Sequence, residues 1–121
     1  MRKMVIILLF AIVVLASGCS SKIHIPSQKK LISYLEDASY TVVEYSTIGD
    51  VSGVSRIVAS NGDSILDVCY KVKDYASDNI LDYYGKNYNK SYITGNIDGF
   101  VYYASDKSAW ELSRIDTDIE N

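Results

Sequence analysis

The sequence is poor in the residues that announce a chemistry. It has one histidine and two cysteines in 121 residues, too few for a Cys/His zinc site, a CxxC redox centre or a disulfide scaffold. The histidine, His24, precedes the first predicted helix, so a Ser-His-Asp or Cys-His arrangement has no imidazole within the domain. No serine lies in a Gly-x-Ser-x-Gly elbow. One proline and seven glycines exclude a proline-rich stalk and a collagenous repeat. Twelve Lys and Arg stand against fifteen Asp and Glu, for a net charge of −3, and no basic stripe exists to bind a nucleic-acid backbone. What is present, 48% apolar and 22% charged residues, is the balance of one ordinary globular domain.

The N-terminus reads as an address. Met1-Arg2-Lys3-Met4 is a short positive region, and Val5 to Leu15 is an unbroken apolar run. That run is too short for a membrane-spanning helix, which needs about 20 residues, and polar residues follow it at once, as in a cleaved signal segment. It ends in Leu15-Ala16-Ser17-Gly18-Cys19, which resembles the lipobox of bacterial lipoproteins. The resemblance implies diacylglyceryl transfer to the Cys19 thiol, then cleavage between Gly18 and Cys19. It divides the chain into a signal peptide (1–18), a lipidated cysteine with its tether (19–26), a domain (27–115) and an acidic tail (116–121). The seven residues from Ser20 to Pro26 reach at most about 25 Å, which keeps the domain close to the bilayer.

Beyond the tether the pattern predicts an α+β fold. Ser27 can cap a helix to Ala38 that carries Leu31, Leu35 and Ala38 on one face. Tyr40–Tyr45 is β-branched and aromatic, hence a strand. A glycine-containing loop leads to a strand over Val54–Ala59. Asn61-Gly62 signals a type I′ hairpin, with Ile65–Val72 returning. Asp74–Tyr88 reads as an acid-capped helix burying Ala76, Ile80, Leu81 and Tyr84. Tyr92–Thr94, a turn over Gly95–Gly99, and Phe100–Ala104 make a second hairpin, and Ser105 or Asp106 caps a last helix. This predicts a largely antiparallel sheet of about five strands with two or three helices, and suggests a ββα repeat over Val54–Tyr84 and Ser91–Ile115. Leu35–Val42 and the tyrosine-rich body after it resemble small lipoproteins of low-GC Gram-positive bacteria. That resemblance brings no catalytic residues with it.

Three features merit a functional reading beside a bland one. Asp74, Asp78 and Asp82 lie four apart on one helix face, which suits a solvated surface more than a cation site. Cys69 alternates with Ile65 and Asp67 and reads as a small buried hydrophobe. All eleven tyrosines follow Cys19, and in Phe100-Val101-Tyr102-Tyr103-Ala104 both faces of a strand carry large apolar groups. Phe100 and Tyr102 point one way and Val101 and Tyr103 the other, so if helices cover only one face, part of the second is a tyrosine-rich contact surface, with Tyr102, Tyr103 and Tyr70 as its candidates. If the first and last helices take opposite faces, the rings are core instead. The expectation is a non-enzymatic lipoprotein on the extracytoplasmic face of the cell membrane, needing no cofactor or metal, whose domain binds a cell-envelope protein or a glycan. An immunity or phage-exclusion lipoprotein and a small cell-envelope enzyme are the alternatives.

Overall fold

The first helix begins where the sequence provides its cap. In the computed structural model, which describes residues 23–115, the Ser27 hydroxyl accepts a hydrogen bond from the Lys30 amide at 3.2 Å, satisfying an otherwise orphan donor. Helix α1 follows over Gln28–Asp37 and buries Leu31 and Leu35, one turn apart on the same face. Ser39, at φ 68°, reverses the chain into strand β1 (Thr41–Ile48). Strand β2 (Val51–Asn61) returns antiparallel, with an irregularity in register between Tyr45 and Thr47, and β3 (Ser64–Tyr70) pairs with it in turn. The β2–β3 turn is centred one residue later than the sequence suggests. Asn61 pairs with Ser64, so Gly62 and Asp63 are central, and only Gly62 takes positive φ, as a type II′ turn requires.

Helix α2 spans Asp74–Asn87. Its cap residue is Lys73, which makes no capping hydrogen bond, not the expected aspartate. Strands β4 (Ile93–Ile97) and β5 (Phe100–Ala104) form the second hairpin. Its turn is Asp98-Gly99 alone, both at positive φ, so Gly95–Ile97 belong to a strand rather than to a loop. Asp106 accepts from the Ala109 amide at 2.8 Å and caps the five-residue helix α3 (Lys107–Glu111).

The fold is α+β: among the described residues, five antiparallel strands in the order β1-β2-β3-β5-β4, with three helices. Alternation along the strands sends side chains to two separate cores. On one face α1 and α3 close over Ile57, Leu66, Val68, Phe100 and Tyr102 with Leu31, Leu35 and Trp110. On the other, Ala76, Ile80 and Tyr84 of α2 pack on Ile48, Cys69, Val101 and Tyr103. Every element of both cores lies within the compact unit Ile25–Ile115. The ββα repeat therefore holds in element order and fails in space, because α2 and α3 take opposite faces.

The same division overturns the expected tyrosine surface. Tyr70, Tyr102 and Tyr103 are only 8%, 4% and 2% exposed. Both faces are covered, but not by the first and last helices: those share a face, and α2 alone takes the other.

Candidate interaction surface

The α2 face has a charged group at its centre. Register places Arg56 opposite Cys69 and Val58 opposite Asp67, so Arg56 and Asp67 are diagonal neighbours on one face of the β2–β3 hairpin. Arg56 forks onto the carboxylate, Nε donating to Oδ1 at 3.0 Å and Nη2 to Oδ2 at 2.8 Å, the bidentate geometry that makes such pairs strong. Asp67 is fully buried. It also accepts from the Tyr88 hydroxyl at 2.7 Å and the Tyr84 hydroxyl at 3.3 Å. With the Tyr84 proton directed at Asp67, the Cys69 thiol, 3.8 Å away, is left to donate to the Tyr84 oxygen. Burial pushes the Cys69 thiol up to about 12 and holds the Tyr84 and Tyr88 phenols above their usual range. Burial alone would lower the Arg56 pKa; its bonds to Asp67 outweigh that and raise it. These groups stay in one ionic state through the neutral range, and the thiol is protonated and unreactive.

The centre reaches the surface through a ring. The Arg56 guanidinium lies 5.0 Å from the Tyr45 ring centroid and 5.3 Å from that of Tyr83, within cation–π range of both, and Nη1 donates to the Thr47 carbonyl at 3.3 Å. Tyr45 is on β1 opposite Arg56, and Val43, two residues away on the same face, is opposite Val58. Helix α2 packs over β2, β4 and β5 and leaves this corner uncovered. Val43 is 43% exposed and Tyr45 46%. As β1 is the first strand in the sheet order, its outer edge has no strand partner among the described residues.

The sequence-predicted residues lie elsewhere. The Tyr70 hydroxyl donates to the Pro26 carbonyl at 2.9 Å, tying the chain entry to the end of β3. Tyr103 donates to the Lys90 carbonyl and stacks on Tyr88 with centroids 4.2 Å apart. Tyr102 packs on Trp110 at 4.7 Å and lies across Gly95, where a Cβ would come within 2.8 Å of its ring. These three tyrosines are core residues that use their hydroxyls or rings internally. Asp74, Asp78 and Asp82 are exposed as expected, with Asp82 paired to Lys86 at 3.0 Å. Gly18, Cys19 and the acidic tail lie outside the described residues.

Sequence reasoning passed over Arg56, Asp67, Val43 and Tyr45. A signal existed for the first two: single opposite charges inside apolar strands, joined by a tight hairpin.

A cleft of about 340 Å³ opens where the tip of the β1–β2 hairpin meets the β3–α2 connection, lined by Asp50, Gly53, Lys71, Lys73 and Tyr75 among others. Among the described residues no helix is long and apolar enough to cross a membrane, and no group of His, Cys, Asp and Glu is placed to hold a metal ion. Comparison with protein-family models, curated proteins and solved structures yields no match.

Proposed function

We propose that the chain is a bacterial lipoprotein anchored through Cys19 on the extracytoplasmic face of the cell membrane, and that its domain is a non-enzymatic interaction module. The Leu15–Cys19 motif supports the anchor. The uncovered Val43–Tyr45 corner carries the interaction reading. An edge strand with half-exposed apolar side chains is a liability that proteins normally blunt, and clustered exposed apolar groups commonly mark a contact site. Here the corner is also preorganised, since Arg56 and Asp67 fix Tyr45 from beneath. A rigid ring with a hydroxyl at its tip suits a protein or glycan of the cell envelope.

A photoreactive residue at Tyr45, irradiated in intact cells, tests this. A discrete crosslinked product is expected, weakened by Val43→Ser and missing when the probe replaces exposed Asp78. Identical products from both positions would sink the reading. Val43→Ser should cost about 0.5 kcal/mol or less in stability, which separates lost capture from lost fold. The anchor is tested separately: Cys19→Ser should abolish lipid labelling.

A further inference from the structure

The topology gathers charge at the end of the domain where the chain enters. Helix α1 starts there with Lys29 and Lys30, both exposed, and Pro26 just before it is bound by Tyr70 at the end of β3. The residues after Tyr70 run along the same end. Lys71 and Lys73 point outward while Val72 between them is buried. The β4–β5 turn closes against this connection, with the Val72 amide donating to the Gly99 carbonyl at 2.8 Å. Next to the lysines stands Tyr75, 82% exposed and the most exposed large hydrophobic side chain among the described residues.

This end carries four lysines against three aspartates, Asp50, Asp74 and Asp98. The rest of the described domain carries five Lys and Arg against nine carboxylates. The domain is therefore electrically lopsided, with its positive end where the tether joins. We infer that this end rests on anionic phospholipid headgroups, with Lys29, Lys30, Lys71 and Lys73 facing the lipid phosphates and Tyr75 at the interface. The inference rests on the proposed anchor for the chain being held near a bilayer. Clustered lysines beside a membrane attachment are the pattern that anionic leaflets attract, and tyrosine favours the headgroup level.

Screening makes the orientation selective. At physiological ionic strength the field of the headgroups decays over about 8 Å. The seven residues of β3 span about 23 Å, so with the basic end down most of the far carboxylates stand beyond the reach of the repulsion. The inverted pose would place the acidic end in the field.

The test uses residues 20–121, which lack Cys19 but include every element of both cores, so binding is read independently of lipidation. Partition is measured by co-sedimentation with vesicles of phosphatidylcholine alone and of phosphatidylcholine with 30% phosphatidylglycerol. Binding at least tenfold stronger to the anionic vesicles, and lost in 0.5 M salt, is expected. Lys71→Asn and Lys73→Gln should each lower it about fivefold, the worth of one lysine near such a surface. Lys90→Gln with Lys107→Gln at the far end, where Asp106 accepts from the Ser64 hydroxyl beside the β2–β3 turn, should leave it unchanged. Asparagine at position 71 tolerates the left-handed backbone there (φ 56°), and Trp110 fluorescence checks that each variant is folded. Equal partition into both vesicle types, or equal loss from the far pair, would overturn the inference and leave the Cys19 reading standing. Absence of lipid on Cys19 in cells would remove the anchor without altering the vesicle result.

Discussion

The two faces of the sheet are held by different physics. Under α1 and α3 the core is aliphatic and aromatic, Leu31, Leu35, Leu66, Val68, Tyr102 and Trp110, and cohesion there scales with the apolar area removed from water. Under α2 the apolar set is smaller and surrounds Asp67, whose oxygens take four hydrogen bonds from Arg56, Tyr84 and Tyr88. A well-packed apolar core tolerates volume-conserving exchange. A buried charged network does not tolerate loss of one member, because the remaining charge has nowhere to go. The face that looks weaker by hydrophobic content is thus the less forgiving one.

Breaking the charged centre should have the largest effect. Asp67→Ala leaves Arg56 buried and uncompensated and should cost about 3–5 kcal/mol in urea unfolding. Combining Arg56→Met with Asp67→Leu should recover most of that loss; if the double variant is as unstable as the single one, the contrast between the faces is wrong. On the other face, Gly95→Ala drives a Cβ into the Tyr102 ring and should cost about 1–3 kcal/mol as overpacking; an unchanged midpoint would mean that the ring has room to move.

Alkali should strike mainly through buried acids. Cys69 and Tyr84 titrate higher in the folded protein than in the unfolded chain. Above about pH 9 the unfolded state therefore releases protons that the folded state retains, and stability falls as pH rises, by at most about 1.4 kcal/mol per unit per group. Urea midpoints between pH 8 and 11 should show that decline, and Tyr84→Phe should make it shallower. The smallest effect is a gain. Lys73 occupies the α2 cap without a capping bond, so Lys73→Ser should raise stability by about 1 kcal/mol, measurable as a higher melting temperature.

Local chemistry made much of the fold legible. Ser27 and Asp106 cap helices as their types suggest, and the strands lie where β-branched and aromatic residues cluster. What failed depended on tertiary choices. Nothing local tells α2 to take the face opposite α3, and that choice alone turns Tyr102 and Tyr103 from candidate surface into core. The hairpin turn shifted from Asn61-Gly62 to Gly62-Asp63 because register is fixed by both strands' burial patterns and not by the turn residues alone. The exposed corner was harder still, since Val43 and Tyr45 sit in a strand pattern that reads as half-buried until α2 is seen to stop short of it.

The strand order has a consequence for how the chain is built. Strands β1, β2 and β3 are neighbours in sequence and can pair as soon as they exist, but the other edge of β3 waits for β5, the last strand made, with β4 outside it. Leu66 to Cys69 meet partners 32 to 38 residues downstream, a long loop to close before any contact rewards it. A nascent chain ending anywhere before Phe100 presents an open, apolar strand edge, so shielding of this protein during synthesis matters until its C-terminal quarter has arrived.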